Sequence, residues 1–248
     1  MSNYIVAPYY TTVPCPQRGR KAKLSFDLMR PWCDSLQRLN LAGIIVYDVL
    51  PDEIRARFPF GDISLHHGHA PATGLSGNDW RFFVYRDWLA SRPDVESVFF
   101  TDLFDLVVQH DPHPWMLQHG GMAFGCEASL DQGPWMSAKL DSAFGGWRNC
   151  LPGKLPRVTA GLFGGLRNLV LPFLEIVCGI IEAIHVDAPT MNCNMPAVQM
   201  AVHAGLRGRN LWFGTPLHDV RWRWGGHNPQ AFFHHRWEGL ESAAFEKE

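Results

Sequence analysis

The stretch VESVFFTDLFD, from Val95 to Asp105, decides the fold class of this chain. Its first part, Val95 to Thr101, is rich in β-branched and aromatic residues, which predicts a buried strand. Two acids, Asp102 and Asp105, follow at the carboxyl end of that strand. Ligands of open α/β sheets bind at this edge. The stretch therefore predicts an α/β fold with a site beside the two acids.

The segments on either side alternate between strand and helix patterns. Strands are predicted at 4–10, 41–48, 95–101 and 122–127, and two short closing strands at 210–213 and 231–234. Helices are predicted at 23–39, 79–89, 168–184 and 197–204, and residues 158–165 are expected to lead into the third of them. Residues 51–78 are predicted to be an irregular connector, and a loop is expected after residue 127 up to about residue 154. Continuous apolar strands are typical of parallel sheets covered on both faces. We expect a single domain over 1–248, a mostly parallel sheet with helices on both faces.

The composition excludes several classes of protein. The chain has 248 residues, of which 46% are hydrophobic, and a formal net charge of -2; these values disfavour a disordered chain and one that binds nucleic acid through bulk charge. The longest apolar stretches fall short of the roughly 20 residues of a membrane helix, so no span is expected. The N-terminus lacks a signal pattern, which predicts a cytoplasmic protein. Six scattered cysteines indicate neither a disulfide framework nor a zinc ribbon.

The spacing of Asp102 and Asp105 is the strongest chemical signal in the sequence. Two carboxylates three residues apart at a strand end can converge on a hard divalent cation, which in turn bridges the phosphates of a nucleotide. The alternative is a pair of solvated or helix-capping acids. The apolar residues before and after the pair place it at a kink and favour the cation site.

In this stretch, and in the order of the motifs after it, the chain resembles metal-dependent glycosyltransferases of the GT-A fold. It is most similar to the collagen-type glycosyltransferase domain of multifunctional lysyl hydroxylases and to bacterial and viral relatives of that domain. The resemblance runs from about Asn78 to Arg236. It implies that Asp102 and Asp105 hold Mn²⁺ or Mg²⁺ against the donor diphosphate and that Phe104 stacks on uracil. It also places Arg81 near the donor.

The resemblance assigns further residues by their position along the chain. Glu127 matches an acid close to the sugar, and the segment Thr159 to Gly165, with Gly164, matches a strand-to-helix turn beside the donor. The family's acidic segment corresponds to 187–199, where asparagines replace acids and leave Asp187 and Gln199 as candidates. A histidine on the last strand completes the family's metal site. His234 fits this position best, with His235 and His218 as alternatives.

The first two strands are expected to contribute to the nucleoside site. Ala7 and Tyr9, near the loop after the first strand, and Asp48, at the end of the second, occupy places that contact the nucleoside in GT-A folds. Tyr9 as a packing residue and Asp48 as a cap or loop acid are the alternatives.

The segment 66–69 carries three histidines, which raises a zinc hypothesis. Adjacent histidines rarely face the same way, however, and a lid over the donor or acceptor is favoured for this connector.

The resemblance implies transfer of a hexose from a nucleotide-diphosphate sugar, with UDP-sugar the expected donor, to an acceptor hydroxyl. The acceptor stays open between a glycan, a protein, a small molecule and a modified DNA base. A nucleotidyltransferase of the same fold is one alternative. A nucleotide-sugar-binding module without turnover is another, because Asn192 and Asn194 stand where acids are expected.

Overall fold

A computed structural model describes residues 1–16, 19–58, 60–69, 74–126, 133–146, 149, 151, 155–188, 192–218 and 228–235. The strands are β1 (Ser2–Tyr9), β2 (Gly43–Tyr47), β3 (Ile63–His67), β4 (Val95–Thr101), β5 (Leu106–Val108), β6 (Met122–Cys126), β7 (Val158–Leu166), β8 (Leu211–Phe213) and β9 (Phe233–His235). The helices are α1 (Phe26–Arg38), α2 (Asp52–Arg55), α3 (Gly77–Ala90), α4 (His113–His119), α5 (Gly133–Ala143), α6 (Arg167–Asp187) and α7 (Asn194–Met200). A π-helical turn, Ala201–Gly205, follows α7.

The main sheet has the strand order β3-β2-β1-β4-β7-β6-β8. Strands β3, β2, β1 and β4 are parallel to their neighbours, β8 is parallel to β6, and β7 is antiparallel to both β4 and β6. This arrangement confirms the predicted mostly parallel sheet. The carboxyl ends of β1, β2, β3 and β4 consequently meet at one edge, where Asp102 follows β4.

Helices cover both faces of the sheet, as predicted. Phe100 of β4 packs in the cluster formed with α3 and α6, whereas its neighbour Phe99 packs in the cluster formed with α1. This division follows from the alternation of side chains along a strand. On the α1 side, the Trp32 indole nitrogen donates a hydrogen bond of 2.9 Å to the Thr101 hydroxyl. That bond joins α1 to the last residue before Asp102.

Two segments predicted to be irregular contain regular structure. The connector 51–78 includes α2 and β3, and β3 pairs in parallel with β2, with His67 opposite Tyr47. A lid is therefore wrong for residues 63–67, which form an edge strand of the main sheet. The loop predicted up to about residue 154 contains α5. These elements lack the long apolar periodicity on which the sequence prediction depended.

The predicted start of α3 is also corrected. Ser76 is the N-cap, and its hydroxyl accepts a hydrogen bond of 3.1 Å from the Asp79 backbone N–H. The helix therefore begins at Gly77, two residues before the predicted start, and Asp79 lies inside the first turn.

The predicted strand-to-helix turn at 159–165 is wrong, because these residues lie within β7. Gly164 pairs with Phe99 of β4, and a Cβ at Gly164 would collide with the Phe99 ring and the Val98 carbonyl. The glycine at this position is explained by close packing of two strands. Gly164 is buried, and its assignment as a donor-binding residue stays a prediction.

Helix α6 is long and apolar enough to cross a membrane by length and composition alone. In the structure, Phe173, Val177 and Ile181 are fully buried in the cluster that α6 forms with the sheet. These contacts are those of a core helix.

A buried histidine makes the stability of the protein sensitive to acid. His113 of α4 is 3% exposed, and its Nδ1 lies 3.0 Å from the Ser97 hydroxyl. Burial lowers the pKa of His113 to about 3. Because the unfolded chain binds the proton near pH 6.5 and the folded chain does not, this histidine stabilises the fold above pH 6.5. Its contribution is lost as the pH falls toward 3.

We expect about 2 kcal/mol of this contribution to disappear between pH 7 and pH 5. Urea unfolding at both pH values would measure it. His113→Gln should unfold more easily at pH 7 but lose less stability on acidification. His119→Gln, which changes an exposed ring on the same helix, should keep the wild-type pH dependence. An unchanged slope in His113→Gln would contradict the assignment.

Candidate active site

Asp102 is held at the end of β4 by an ion pair with a buried arginine. The Arg81 guanidinium donates one hydrogen bond of 2.6 Å to the Asp102 carboxylate and another of 3.0 Å to the Ala160 carbonyl. The Arg81 side chain is 7% exposed and that of Asp102 is 35% exposed. Burial alone would lower the pKa of Arg81, but the charge and hydrogen bond of Asp102, together with Tyr85 and Asp79, raise the net pKa. Arg81 thus fixes Asp102 with its other side open to solvent.

Gly161 of β7 makes room for the Asp102 carboxylate. The Asp102 backbone N–H donates a hydrogen bond of 2.7 Å to the Gly161 carbonyl, and a Cβ on Gly161 would collide with the Asp102 carboxylate. The sequence had grouped Gly161 with the predicted turn. Its role is to let a strand pass directly beside an acid of the site.

Asp105 lies beside two histidines from the C-terminal part of the chain. Strand β9 pairs antiparallel with β5, with His235 opposite Leu106. The His235 Nε2 is 3.3 Å from the Asp105 carboxylate, and its Nδ1 is 3.2 Å from the Nε2 of His218. Burial, together with the neighbouring His235, lowers the pKa of His218 to about 3. A neutral imidazole at this position can serve as a metal ligand.

The structure corrects the predicted choice of histidine. His234, which the sequence favoured, lies opposite Val107 in the β5–β9 pair. Because adjacent strand residues face opposite ways, His234 and His235 cannot both face Asp105. His235 is the histidine that contacts Asp105, and His218 contacts the other nitrogen of the His235 ring.

Phe104, between the two acids, is half-buried. Its ring meets Tyr9 edge to face, with the ring centroids 5.8 Å apart. Tyr9 itself is fully buried, and its hydroxyl donates a bond of 2.6 Å to the Lys23 carbonyl and accepts one of 2.9 Å from the Ser25 N–H. Tyr9 therefore packs against Phe104 from the interior of the protein. Its assignment as a nucleotide contact is corrected to a packing role.

Two more predicted nucleoside contacts have structural roles instead. Ala7 is fully buried inside β1, opposite Ile45, rather than in the loop after the strand. The Asp48 carboxylate is 4% exposed and accepts hydrogen bonds from the backbone N–H groups of Thr11 and Thr12, at 3.0 and 2.9 Å. Asp48 thus holds the loop after β1 in place. This is the loop-acid role that the sequence analysis gave as the alternative to a nucleoside contact.

The two candidates in the segment 187–199 have different surroundings in the structure. Asp187 is the exposed last residue of α6. Gln199 is fully buried, and its amide exchanges hydrogen bonds with the Val158 backbone. These hydrogen bonds give Gln199 a structural role, whereas Asp187 at the reaction centre stays a prediction. Glu127 lies outside the described residues.

Asp79 is a buried acid that the sequence interpretation missed as a site residue. It is fully buried at the start of α3, accepts a hydrogen bond of 2.9 Å from the Ser76 hydroxyl and one of 3.1 Å from the Cys193 N–H. Burial raises the pKa of Asp79. The spacing Ser76-x-x-Asp79 is a capping-box pattern and could have identified it. Asp79 joins α3 to the segment that carries Asn192 and Asn194.

Among the described residues, the histidines at 66–69 form no hydrogen bond or ion pair with Asp102 or Asp105. The His67 ring packs on Tyr47 and His69, and its Nε2 lies 3.0 Å from the Asp48 carbonyl. His66 precedes it in β3, so the two rings face opposite sides of the strand. Zinc binding by this group has no support in these contacts.

Comparisons with known proteins define the fold. No family model and no curated protein matches this sequence. A crystal structure of an active-site mutant of LgtC is similar, with a TM-score of 0.54 and 9% identity over 94% of this chain and 87% of that chain. The galactosyltransferase LgtC in complex with donor and acceptor sugar analogs is also similar, with a TM-score of 0.51 and 9% identity over 95% of this chain and 87% of that chain.

These structural neighbours are glycosyltransferases of the GT-A fold, and this chain has the same fold. The fold class predicted from the sequence is confirmed. The collagen-type subgroup is not supported by these neighbours.

Proposed function

We propose that this protein transfers a hexose from a nucleotide-diphosphate sugar to an acceptor hydroxyl with the help of a divalent cation. The observation that carries the proposal is the meeting of Asp105 and His235 at the edge of a GT-A sheet where β4 ends. Ligands of open α/β sheets bind at this edge. The LgtC structure with donor and acceptor sugar analogs supports a sugar-nucleotide donor for this chain.

The donor set fits a cation such as Mn²⁺ or Mg²⁺. Oxygen and nitrogen ligands lie about 2.0–2.3 Å from such ions, so two ligand atoms at right angles are about 3 Å apart. The carboxylate of Asp105 and the Nε2 of His235 are 3.3 Å apart. Carboxylate with imidazole suits Mn²⁺ better than Mg²⁺, which favours oxygen ligands.

Asp105 and His235 would hold the cation, and His218 would keep the His235 ring in its orientation through the contact of 3.2 Å. When bound, the cation would neutralise the charge that develops on the leaving diphosphate. Asp102, fixed by Arg81, presents its open side to the same edge. Besides the cation, the positive charge of the Arg81 guanidinium would limit the repulsion between the Asp102 carboxylate and a bound diphosphate.

Phe104 would stack on the base of the nucleotide. It is half-buried, and Tyr9 supports it from the side away from solvent. Stacking on an aromatic ring accepts any base. We favour UDP on the resemblance of the D-x-x-D motif with Phe104 to the collagen-type subgroup.

The test is a set of binding measurements on the whole chain with UDP, GDP and CDP, each with and without Mn²⁺. We expect UDP to raise the melting temperature in the presence of Mn²⁺, and isothermal titration to show binding that needs the metal. Asp105→Asn should lose the Mn²⁺-dependent part. Asp87→Asn, an exposed acid in α3, should bind like the wild type.

Three results would redirect or refute the proposal. Absence of binding by every nucleotide would refute it. Stronger stabilisation by a nucleoside triphosphate than by UDP would favour a nucleotidyltransferase. Tight binding of UDP-glucose and UDP-galactose with no release of UDP, with or without added acceptors, would favour a binding module without turnover.

A further inference from the structure

A second cluster of metal-binding side chains lies apart from Asp102 and Asp105. Asp79, His185 and Cys193 each offer one ligand atom, and these three atoms lie within 4.8 Å of one another. They come from the first turn of α3, the last turn of α6 and the residue before α7. We propose that these side chains form a zinc site that joins the three helices. This inference does not depend on the proposed transfer reaction.

The separation between the donor atoms of Asp79 and His185 suits a tetrahedral ion. Zinc binds nitrogen and oxygen at about 2.0–2.2 Å and sulfur at about 2.3 Å, which separates ligands of a tetrahedron by about 3.3–3.7 Å. The Asp79 carboxylate and the His185 Nε2 are 3.6 Å apart. This separation is too long for a good hydrogen bond between them. It matches two ligands of one zinc ion.

The charges also balance. Asp79 and Cys193 are fully buried, and a buried carboxylate is costly unless a cation compensates it. Zinc with one carboxylate and one thiolate is neutral overall, and the thiol proton leaves to solvent on binding. The guanidinium of Arg81, on the same helix as Asp79, directs its hydrogen bonds to Asp102 and the Ala160 carbonyl instead.

Supporting contacts around the ligands are already in place. The Ser76 hydroxyl and the Cys193 N–H donate to the two oxygens of Asp79, at 2.9 and 3.1 Å. Such hydrogen bonds orient carboxylate ligands in metal sites. The His185 side chain is 12% exposed, which gives the ion a route from solvent. Three protein ligands leave the fourth position of the tetrahedron to a water molecule.

The thiolate distinguishes this site from the one at Asp105. Sulfur favours zinc, whereas the carboxylate and imidazole of the other site suit Mn²⁺. The zinc site would fix the segment 192–194, because Cys193 is its central residue and the side-chain oxygen of Asn192 lies 3.1 Å from the Ser76 hydroxyl. The site would therefore set the position of the asparagines that replace the acidic segment of the related enzymes.

The test uses the full chain stripped of metal and then loaded with Zn²⁺ or Co²⁺. We expect about one equivalent of tightly bound zinc by elemental analysis, a higher melting temperature with zinc, and a thiolate-to-cobalt charge-transfer band in the near ultraviolet. The band should vanish in Cys193→Ser, and zinc affinity should fall at least about 100-fold in His185→Ala. Cys15→Ser and Asp105→Asn should keep both the band and the zinc.

Two results would overturn the site. One is a wild-type chain that binds no zinc and shows no cobalt-thiolate band. The other is a band that persists in Cys193→Ser or disappears in Cys15→Ser. If Cys193→Ser does not fold, the conservative Asp79→Asn serves instead: it should weaken zinc binding while the thiolate band remains. Because Asp105→Asn removes the Mn²⁺ site alone, failure of either proposal is distinguishable from failure of the other.

Discussion

Replacing Phe163 by alanine will lower the free energy of unfolding by about 3–5 kcal/mol. Phe163 is fully buried in β7, and four other phenylalanine rings surround it. The ring centroids of Phe82, Phe100, Phe124 and Phe173 lie 5.8, 5.2, 6.4 and 5.2 Å from that of Phe163. These rings come from α3, β4, β6 and α6. A cavity at this position therefore weakens the contact of both helices with the sheet.

Urea unfolding followed by tryptophan fluorescence would measure this loss. Phe163→Leu should cost less than the alanine variant because it leaves a smaller cavity. Trp135→Ala removes an aromatic side chain that is 48% exposed and should change stability by no more than about 0.5 kcal/mol. A loss below about 1 kcal/mol in Phe163→Ala would show that this ring is not at the centre of the core.

Replacing His235 by glutamine will weaken Mn²⁺ binding in the presence of UDP by at least about 100-fold. Changes to residues that only orient metal ligands already cost 10–100-fold, and in the proposed site His235, 3.3 Å from Asp105, is itself a ligand. Asp105→Asn should have an effect of the same size. The loss of the free Mn²⁺ signal in electron paramagnetic resonance would measure the affinity directly.

His234→Gln is the matched control, since it changes the neighbouring ring on the opposite face of the same strand. We expect its Mn²⁺ affinity to stay within about threefold of the wild type. Release of UDP from UDP-glucose or UDP-galactose, with water as acceptor, should follow the same order. If His234→Gln loses the metal and His235→Gln keeps it, the sequence assignment is right and the geometric one is wrong.

Much of the fold could be predicted because its strands and long helices carry strong local patterns. The apolar runs of β1, β2 and β4 predict buried parallel strands. The three- and four-residue spacing along Leu28, Trp32, Leu36 and Leu39 predicts α1. The short elements α2, β3, β5, α4 and α5 were missed. These elements are short or half-exposed and carry little hydrophobic periodicity. Their structure therefore depends on contacts with neighbouring elements that a sequence pattern does not reveal.

The candidate site was predicted less well than the fold. Ala7 and Tyr9 were assigned by their position along β1, but they are buried inside the protein. Asp48 faces the loop after β1 because its carboxylate accepts backbone hydrogen bonds from Thr11 and Thr12. The position of a residue along a strand determines how close it lies to the carboxyl end of the sheet. This position does not determine whether the side chain faces a ligand or packs inside the protein.

The sequence by itself determined that Asp102 and Asp105 stand at the carboxyl end of a buried strand, because strand and acids are contiguous and the apolar run has a clear end. Only the tertiary structure decided their partners. Arg81 reaches Asp102 from α3, and His235 reaches Asp105 because β9 pairs with β5 in a register that turns His234 away. A shift of one residue in that register exchanges the two histidines, and register depends on contacts between segments far apart in the chain.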